Sequence, residues 1–331
     1  MNVLFLSRSA SGHPHAFVKE QADALQTGFG INIRHLLIEK GGFSGTLKAI
    51  GKLKDYTSNN LVDVIHVHYG LWTMVAVITK FLFLKKYKIV VTYHGSDIYK
   101  SSERPVSLFF SKFASWNILV SGRMLKYFHK KFAIIPCGID TEIKYLYRKE
   151  YRDENKWTEN DFVVLFSSSF KRKVKDPSFA FDVIDQLKKT CKKQVIFIEL
   201  AGFSRFELTR LMQAADAMLM CSVSEGSPQV IKEAILNRLP VVSNDIGDVR
   251  SICGHTDNTF IIEKTVNAFV DTLDAISASG KRIQTNGPVL ETFDNRVIAQ
   301  RIFGIYCHLL NYNQRFVPRV LPPMSFEANQ W

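Results

Sequence analysis

Two glutamates eight residues apart are the strongest candidates in this chain for a chemical role. Glu225 follows an apolar run that ends at Cys221, and Glu233 lies eight positions further on, within a helical pattern. At about 1.5 Å rise per residue, the two carboxylates lie on the order of 8 to 12 Å apart. Carboxylates accept hydrogen bonds from vicinal hydroxyls, so this pair could hold a sugar and a ribose. Taken alone, the pair is equally typical of a capping charge and a solvated helical charge.

The residues between the two glutamates are typical of a helix start. Ser227 is predicted to be the N-cap, with Pro228 at the first helical position, where its missing N–H costs nothing. The free N–H groups and the positive dipole end of such a helix attract phosphate. The backbone amides near Gln229 and Val230 are therefore candidates for binding a nucleotide diphosphate.

Length and patterning predict two domains. The chain has 331 residues, 46% of them hydrophobic and 22% charged, which suits two globular domains of about 100 to 200 residues each. Short β-rich runs alternate with helical patterns, and the alternation restarts at Phe162 after a polar stretch from Lys144 to Asp161. This rhythm predicts an α/β fold with two Rossmann-like doubly wound domains facing a central cleft. The predicted units are an N-terminal domain at 1–143, a C-terminal domain at 144–294, and a helix crossing back toward the N-terminal domain plus a tail at 295–331, which is expected to pack loosely or be disordered from Phe316.

Several short segments resemble motifs of the family 4 glycosyltransferases, which have the two-domain GT-B fold. They occur along this chain in the same order as in that family. Glu225 to Ala234 resembles the Glu-x7-Glu region of that family, and Thr92 to Asp97 resembles its Thr-x-His-Gly-x-Asp motif. Phe17–Gln21 and Phe166–Phe170 resemble a subgroup associated with bacterial cell-surface polysaccharides of the teichuronic-acid type. Further matching segments are residues 63–70, 117–121, 135–140 and 216–222.

The resemblance implies a role for each matching position. Glu225 would hold the hydroxyls of the donor sugar, and His94 would approach that sugar near the scissile bond, so these two are the predicted catalytic residues. Glu233 would bind the ribose. The backbone amides from Ser227 to Val230 would face the sugar and the phosphates. A lone histidine at a strand end could instead satisfy a turn.

Weaker matches complete the predicted site. Lys175 matches the family's diphosphate-binding lysine, but a Ser-Phe pair replaces the Gly-Arg pair that precedes it in the family. Arg172, or as the less favoured choice Lys171, is predicted to supply the missing positive charge from the same loop. A solvated basic loop is the equal alternative for Arg172. Gly202 and Phe203 match the loop that lines the nucleobase, where a plain turn is the alternative. Gly12 lies in the first strand-to-helix loop, where glycine lets the backbone approach a phosphate or an acceptor.

The positive charge is concentrated in the first half of the chain. Of a net charge of +12, residues 1–142 contribute 18 Lys and Arg against 9 Asp and Glu, which suggests a polyanionic partner, either nucleic acid or an anionic membrane surface. The chain lacks clustered arginine and aromatic platforms for nucleic acid. Pro105–Trp116 could offer an aromatic and basic surface to a bilayer, although the buried face of a helix is favoured. No apolar run is long enough to span a bilayer, which predicts a cytoplasmic protein with the inner membrane face as an additional location.

The expected reaction is retaining transfer of a sugar from a nucleotide sugar to a saccharide or polyprenyl-diphosphate-linked acceptor. Glu225 and Glu233 share one helix mouth, so they do not flank a glycosidic bond as glycosidase carboxylates do. No metal cofactor is expected, because the five cysteines form no CxxC pair and no zinc-spaced histidine cluster. The alternatives are a GT-B sugar-nucleotide epimerase or hydrolase and, less favoured, a nonenzymatic basic module that binds nucleic acid.

Overall fold

The first sheet contains six parallel strands, in the order β2-β1-β3-β4-β5-β6. The computed structural model describes residues 1–254, 256–285 and 291–312. Burial is almost continuous along β1, β3 and β4, and β3 is buried at every position, as expected for the central strands of a sheet covered on both faces. The strands are β1 (Asn2–Arg8), β2 (Asn32–Ile38), β3 (Val64–His68), β4 (Lys88–Tyr93), β5 (Trp116–Leu119) and β6 (Phe132–Ile134).

Helices cover both faces of this sheet. In the first of them, Val18, Ala22 and Leu25 recur at helical spacing and are buried against the sheet, which is the pattern of an amphipathic helix. Gly30 ends that helix in the left-handed conformation (φ 62°), which glycine adopts at no steric cost. The helices are α1 (Ala16–Phe29), α2 (Gly42–Asn59), α3 (Thr73–Leu82), α4 (Ser96–Tyr99) and α5 (Arg104–Ser111).

The second sheet contains five parallel strands, in the order β11-β10-β9-β7-β8. Its strands are β7 (Asp161–Phe166), β8 (Gln194–Glu199), β9 (Ala217–Met220), β10 (Val241–Asn244) and β11 (Thr259–Ile262). Its helices are α6 (Arg148–Glu154), α7 (Pro177–Thr190), α8 (Arg205–Ala214), α9 (Gln229–Leu236), α10 (Val249–Cys253) and α11 (Val266–Ser279).

The polar stretch that precedes the second sheet is more ordered than its composition suggests. It contains α6, and the buried Arg152 on that helix donates to Asp216, to the Ala214 carbonyl and to the Thr158 carbonyl. Arg148 donates to Asp216 at 2.7 Å. Buried guanidinium groups of this kind need several acceptors to offset their desolvation, so these contacts anchor the stretch to the second domain.

The last described helix, α12 (Asn295–Leu310), packs on the first domain. Ile298, Ile302 and Tyr306 are buried in one core with Val3 and Phe5 of β1. The Tyr306 hydroxyl also lies 2.5 Å from a ring nitrogen of His66 on β3. The C-terminal segment therefore crosses back and completes the core of the first domain. The tail expected to be loose from Phe316 lies outside the described residues.

Candidate active site

The loops that follow β4 and β9 meet between the two domains. A Cβ at Gly226 would lie 2.8 Å from the carbonyl oxygen of His94, and one at Gly95 would lie 3.3 Å from the Gly226 nitrogen. The two backbones can approach this closely because glycine has no side chain that would fill the space between them. Ser121 of the first domain also donates to Asp248 of the second at 2.5 Å. The structure thus brings the predicted His94 and Glu225 loops together.

Glu225 and Lys175 form a buried ion pair. The Lys175 ammonium donates to Glu225 Oε1 at 2.5 Å, and Ser222 Oγ donates to the same oxygen at 2.6 Å. The lysine and glutamate side chains are 8% and 11% exposed, so water screens the pair little. Charge-assisted bonds of this type are strong and orient the carboxylate. The lysine predicted for the diphosphate therefore lies next to the carboxylate predicted for the sugar.

The predicted cap of the following helix is wrong. α9 begins at Gln229, its N-cap position is Pro228, and no side chain in the described part of the chain caps it. Ser227 Oγ instead accepts a hydrogen bond from the Lys232 ammonium at 2.8 Å, and the Cys137 carbonyl accepts another at 2.7 Å. Lys232 is fully buried, and burying an ammonium without acceptors costs more than an uncapped helix end.

This rearrangement leaves the first turn of α9 open to an anion. The N–H groups of a helix start that no side chain caps, together with the helix dipole, favour phosphate. Gln229 and Val230 lie in this turn, as predicted, although the Gln229 side chain itself donates to the Gly138 carbonyl at 2.7 Å. Burial lowers the pKa of Lys232 to about 8.

Asp97 holds the His94 loop in place. Its carboxylate accepts from the backbone N–H groups of Gly70 at 2.7 Å, Gly95 at 2.9 Å and His94 at 3.1 Å. Asp97 is fully buried, and this burial raises the pKa of its carboxyl to about 6, against the lowering effect of the three N–H donors. Asp97 belongs to the Thr-x-His-Gly-x-Asp motif, so the sequence indicates its importance. No feature of the sequence indicates the role of Lys232.

His94 is the last of three stacked histidines. His66 stacks on His68 with ring centroids 4.5 Å apart, and His68 stacks on His94 at 5.5 Å. His94 Nε2 lies 3.3 Å from His68 Nδ1. Burial lowers the pKa of His94 to about 4 and that of His66 to about 3, and it holds the pKa of His68 well below its usual value. Neutral His94 can therefore approach a sugar as a hydrogen-bonding group without adding positive charge.

This histidine stack predicts that stability falls as the pH falls from about 6.5 to about 5. His66, His68 and His94 gain protons more readily when unfolded, so their contribution is full above their ordinary pKa and is lost below it. Burial of His35 lowers its pKa and adds to this loss. Asp97 and Asp248, whose pKa values burial raises to about 6, act in the opposite direction, as does Glu233, whose pKa burial also raises. Four histidines against three carboxyls leave a net loss on the order of 1 kcal/mol per pH unit. Urea unfolding at several pH values measures this slope.

A pair of histidine variants tests the origin of that slope. Replacing the buried His68 by Gln should reduce the slope, whereas replacing the exposed His129 by Gln should leave it unchanged. A free energy of unfolding that rises toward pH 5 would show that the stacked histidines take up protons in the folded state.

Glu233 contacts the first domain through Arg205. The Arg205 guanidinium donates to Glu233 and, at 2.7 Å, to Glu20 on α1. Burial raises the pKa of Glu233, and the charge of Arg205 opposes this effect. All three residues line a cavity of about 420 Å³ between the domains, together with the aromatic rings of Tyr147 and Phe206. A ribose that binds Glu233 would replace the guanidinium as its hydrogen-bond partner.

The remaining predicted residues lie in loops around this cleft, and the part of the chain that the structure describes shows no hydrogen bond from any of them to Glu225 or His94. Arg172 is exposed and its guanidinium lies 3.3 Å from Ser168 Oγ. Gly12 (φ 78°) and Gly202 (φ 83°) have open space where a Cβ would lie, and Phe203 is 36% exposed. Among the described residues, no acidic side chain forms an ion pair with Arg172.

Neither a metal cluster nor a membrane span is found within residues 1–254, 256–285 and 291–312. In that part of the chain, no group of three or more His, Cys, Asp or Glu side chains is placed to hold a metal ion. No helix there is long and apolar enough to cross a membrane.

Solved structures share this two-domain architecture. HepE of Anabaena, in its complex with UDP-glucose, has a TM-score of 0.69 at 17% identity, covering 93% of this chain and 100% of its own. The lipopolysaccharide outer core galactosyltransferase WaaB has a TM-score of 0.66 at 12% identity, covering 93% of this chain and 99% of its own. Two parallel-sheet domains facing one cleft define the GT-B class, as predicted.

Sequence comparison identifies the family. Residues 7–143 match the model of Glycosyltransferase Family 4, and residues 182–279 match that of Glycosyl transferases group 1. The two matches together cover most of the chain and confirm the predicted resemblance to the family 4 glycosyltransferases. Over 60 residues it is 37% identical to TuaC of Bacillus subtilis, a glycosyltransferase assigned to teichuronic acid biosynthesis. That match spans 18% of this chain and 15% of TuaC.

Proposed function

We propose that this protein transfers a sugar from a nucleotide sugar to a saccharide acceptor with retention of anomeric configuration. The observation that supports this most directly is the meeting of the Glu225 and His94 loops beside the uncapped start of α9. There, Glu225 would accept hydrogen bonds from the donor sugar, and the helix start would face its diphosphate. HepE binds UDP-glucose in a fold of the same class, which supports a nucleotide sugar as donor.

The leaving diphosphate gains negative charge as the glycosidic bond breaks. Preorganised positive groups lower the barrier to that step. Lys175 is held next to Glu225, and the exposed Arg172 lies three residues before it, so the two cations are the candidates for this role. Both glutamates belong to one loop and the helix after it, so they do not flank the glycosidic bond. We therefore expect the diphosphate to leave, and the acceptor hydroxyl to attack, on the same face of the sugar. The leaving phosphate accepts the proton of that hydroxyl. The reaction proposed here uses no metal ion.

The acceptor that we propose is a saccharide carried on a polyprenyl diphosphate in bacterial surface polysaccharide synthesis. The match with TuaC and the structural likeness to WaaB support this role. The excess of positive charge in the first domain, which we expect to bind the acceptor, suits a diphosphate-linked lipid. Location at the inner face of the cell membrane follows from that acceptor.

A donor screen tests the proposed function. The enzyme is mixed with each of a panel of nucleotide sugars and a bacterial membrane extract, and release of nucleoside diphosphate is measured with and without the extract. We expect release that depends on the extract, with labelled sugar in the lipid fraction and the donor's anomeric configuration in the product. Activity should survive a metal chelator. Equal release without acceptor, or conversion of the donor into its epimer, would favour the epimerase or hydrolase alternative.

A test of the ribose contact compares two glutamates that share one arginine. Glu233→Gln should raise the KM for the donor about tenfold while changing kcat less, because one charge-assisted hydrogen bond to the ribose is lost. Glu20→Gln removes the other carboxylate bound to Arg205 without touching Glu233. Initial-rate kinetics measure the KM for the donor and kcat of both variants. An equal rise of KM in Glu20→Gln would assign the effect to the arginine bridge and not to ribose binding.

A further inference from the structure

One corner of the first domain leaves large apolar side chains in solvent. Phe81, Leu82 and Leu84, at the end of α3 and in the turn after it, are 60%, 67% and 86% exposed. Phe109 on α5 and Phe113 just after it are 55% and 43% exposed. The ring of Phe113 lies 5.8 Å from that of Phe81 and 5.7 Å from that of Phe109, between centroids. The three rings thus lie together, and Leu82 and Leu84 follow Phe81 closely in the chain. These five exposed residues are here named the phenylalanine surface, and exposed apolar patches mark interaction sites.

Positive charge predominates in the two segments that contain the phenylalanine surface. Residues 80–88 and 104–116, which contain all of it, include six Lys or Arg and no Asp or Glu. Lys86 and Lys112 are exposed, and the Lys54 ammonium lies 5.3 Å from the centre of the Phe83 ring. The surface thus combines apolar rings that can enter a lipid interface with cations that can meet anionic headgroups.

The sequence favours a buried helical face for Pro105–Trp116, but the structure buries only part of this segment. Ser107 is fully buried, and Leu108 and Phe110 pack against the core of the first domain. Phe109 and Phe113 face solvent instead, next to the end of α3. The helix therefore has one face for the core and another for a partner.

We propose that the phenylalanine surface docks this protein onto an anionic lipid bilayer. Aromatic and leucine side chains enter the boundary between headgroups and acyl chains, and nearby lysines are attracted by anionic lipids. A second copy of this chain fits less well, because it would bring the same cations face to face with no carboxylate within the two segments to pair them. Charge complementarity therefore selects the bilayer.

The surface lies at the end of the domain opposite the cleft. Leu84 precedes β4 and Phe113 precedes β5, so the surface lies at the amino ends of these parallel strands, whereas His94 follows the carboxyl end of β4. The six residues of β4 extend over about 20 Å. Docking would hold the cleft at about that height above the lipid. If the proposed transfer to a lipid-linked saccharide is correct, the acceptor hydroxyl belongs to the end of a chain of several sugars and not to the sugar next to the lipid.

Vesicle cosedimentation with the full chain tests the docking. Wild type should pellet with vesicles of phosphatidylcholine mixed with phosphatidylglycerol and much less with phosphatidylcholine alone. Lys86→Gln/Lys112→Gln should weaken binding about thirtyfold, since each lysine near an anionic surface contributes about fivefold. Phe81→Ser/Phe113→Ser should weaken it about tenfold or more. Lys188→Gln/Lys189→Gln, which removes two exposed charges from α7 in the second domain, is the matched control and should bind as wild type.

Several results would overturn the proposal. The wild-type protein could stay in the supernatant with anionic vesicles, or the surface variants could bind these vesicles as well as wild type does. A dimer in analytical ultracentrifugation that Phe81→Ser/Phe113→Ser converts to a monomer would show that the surface joins two copies. Because the vesicle assay needs neither donor nor acceptor, failure of the glycosyl transfer would leave its result intact. Retained turnover of the surface variants on a lipid-free saccharide would support separate docking and catalytic sites.

Discussion

Replacing Glu225 by Gln should lower kcat/KM for the nucleotide sugar by about 10²- to 10³-fold, because the amide cannot replace the charge that we assign to the donor sugar. The same change should lower the free energy of unfolding by about 3 kcal/mol, because it leaves the buried Lys175 ammonium without its carboxylate. Initial-rate kinetics and urea unfolding measure the two effects separately. Since both follow from one side chain, a second variant is needed to divide them.

Lys175→Met in the Glu225→Gln background provides that division. Removing both charges of a buried pair is often close to neutral for stability, so the double variant should recover most of the lost free energy of unfolding. Its turnover should remain low, because Glu225 is still absent. Recovery of turnover together with stability would mean that Glu225 serves only the fold, and full activity of Glu225→Gln alone would remove it from the site.

Replacing Gly226 by Ala should lower kcat/KM by about 10²-fold while leaving the core of each domain intact. The new Cβ would lie 2.8 Å from the His94 carbonyl oxygen, which belongs to backbone and cannot swing aside. The Glu225 and His94 loops must then separate, and misplacement of reacting groups by about 1 Å costs a factor of this size. Kinetics with the preferred donor measure the loss.

A second glycine serves as the control for this effect. Gly122 lies in the first domain after β5, has open space where its Cβ would lie and does not have a positive φ. Gly122→Ala should therefore keep wild-type turnover. If Gly226→Ala is equally active, the two loops do not need the close approach that the structure shows, and the site is assembled in another way.

The fold and the position of the site could be predicted from the sequence because they depend on local patterns. Apolar runs such as those of β3 and β4 specify strands buried on both faces, and ligand-binding loops follow the carboxyl ends of such strands. The same patterns predict that His94 and Glu225 lie in loops after strand ends, where the structure has them. In contrast, α2 has three glycines among its 18 residues, which weakens any helical prediction, and it forms because Ala49 and Leu53 are buried against the first sheet.

The partners of the charged residues could not be predicted in the same way. Ser227 does not cap α9 but accepts a hydrogen bond from the buried Lys232 on that helix, which also donates to the Cys137 carbonyl. Lys175, which is predicted to bind a diphosphate, forms an ion pair with Glu225. Arg205 bridges Glu233 to Glu20 of the first domain. Each of these contacts joins residues far apart in sequence or depends on burial.

The sequence by itself determined the α/β class, the order of strands and loops along the chain, and the family, because each depends on local periodicity or on short motifs. The tertiary structure alone decided which cations meet Glu225 and Glu233, and that Phe109 and Phe113 face solvent beside Phe81. Burial and pairing depend on which distant segments pack together, and that packing is a property of the folded chain as a whole. For Glu225, the residue type was visible in the sequence, but its pairing with Lys175 was decided by the folded structure.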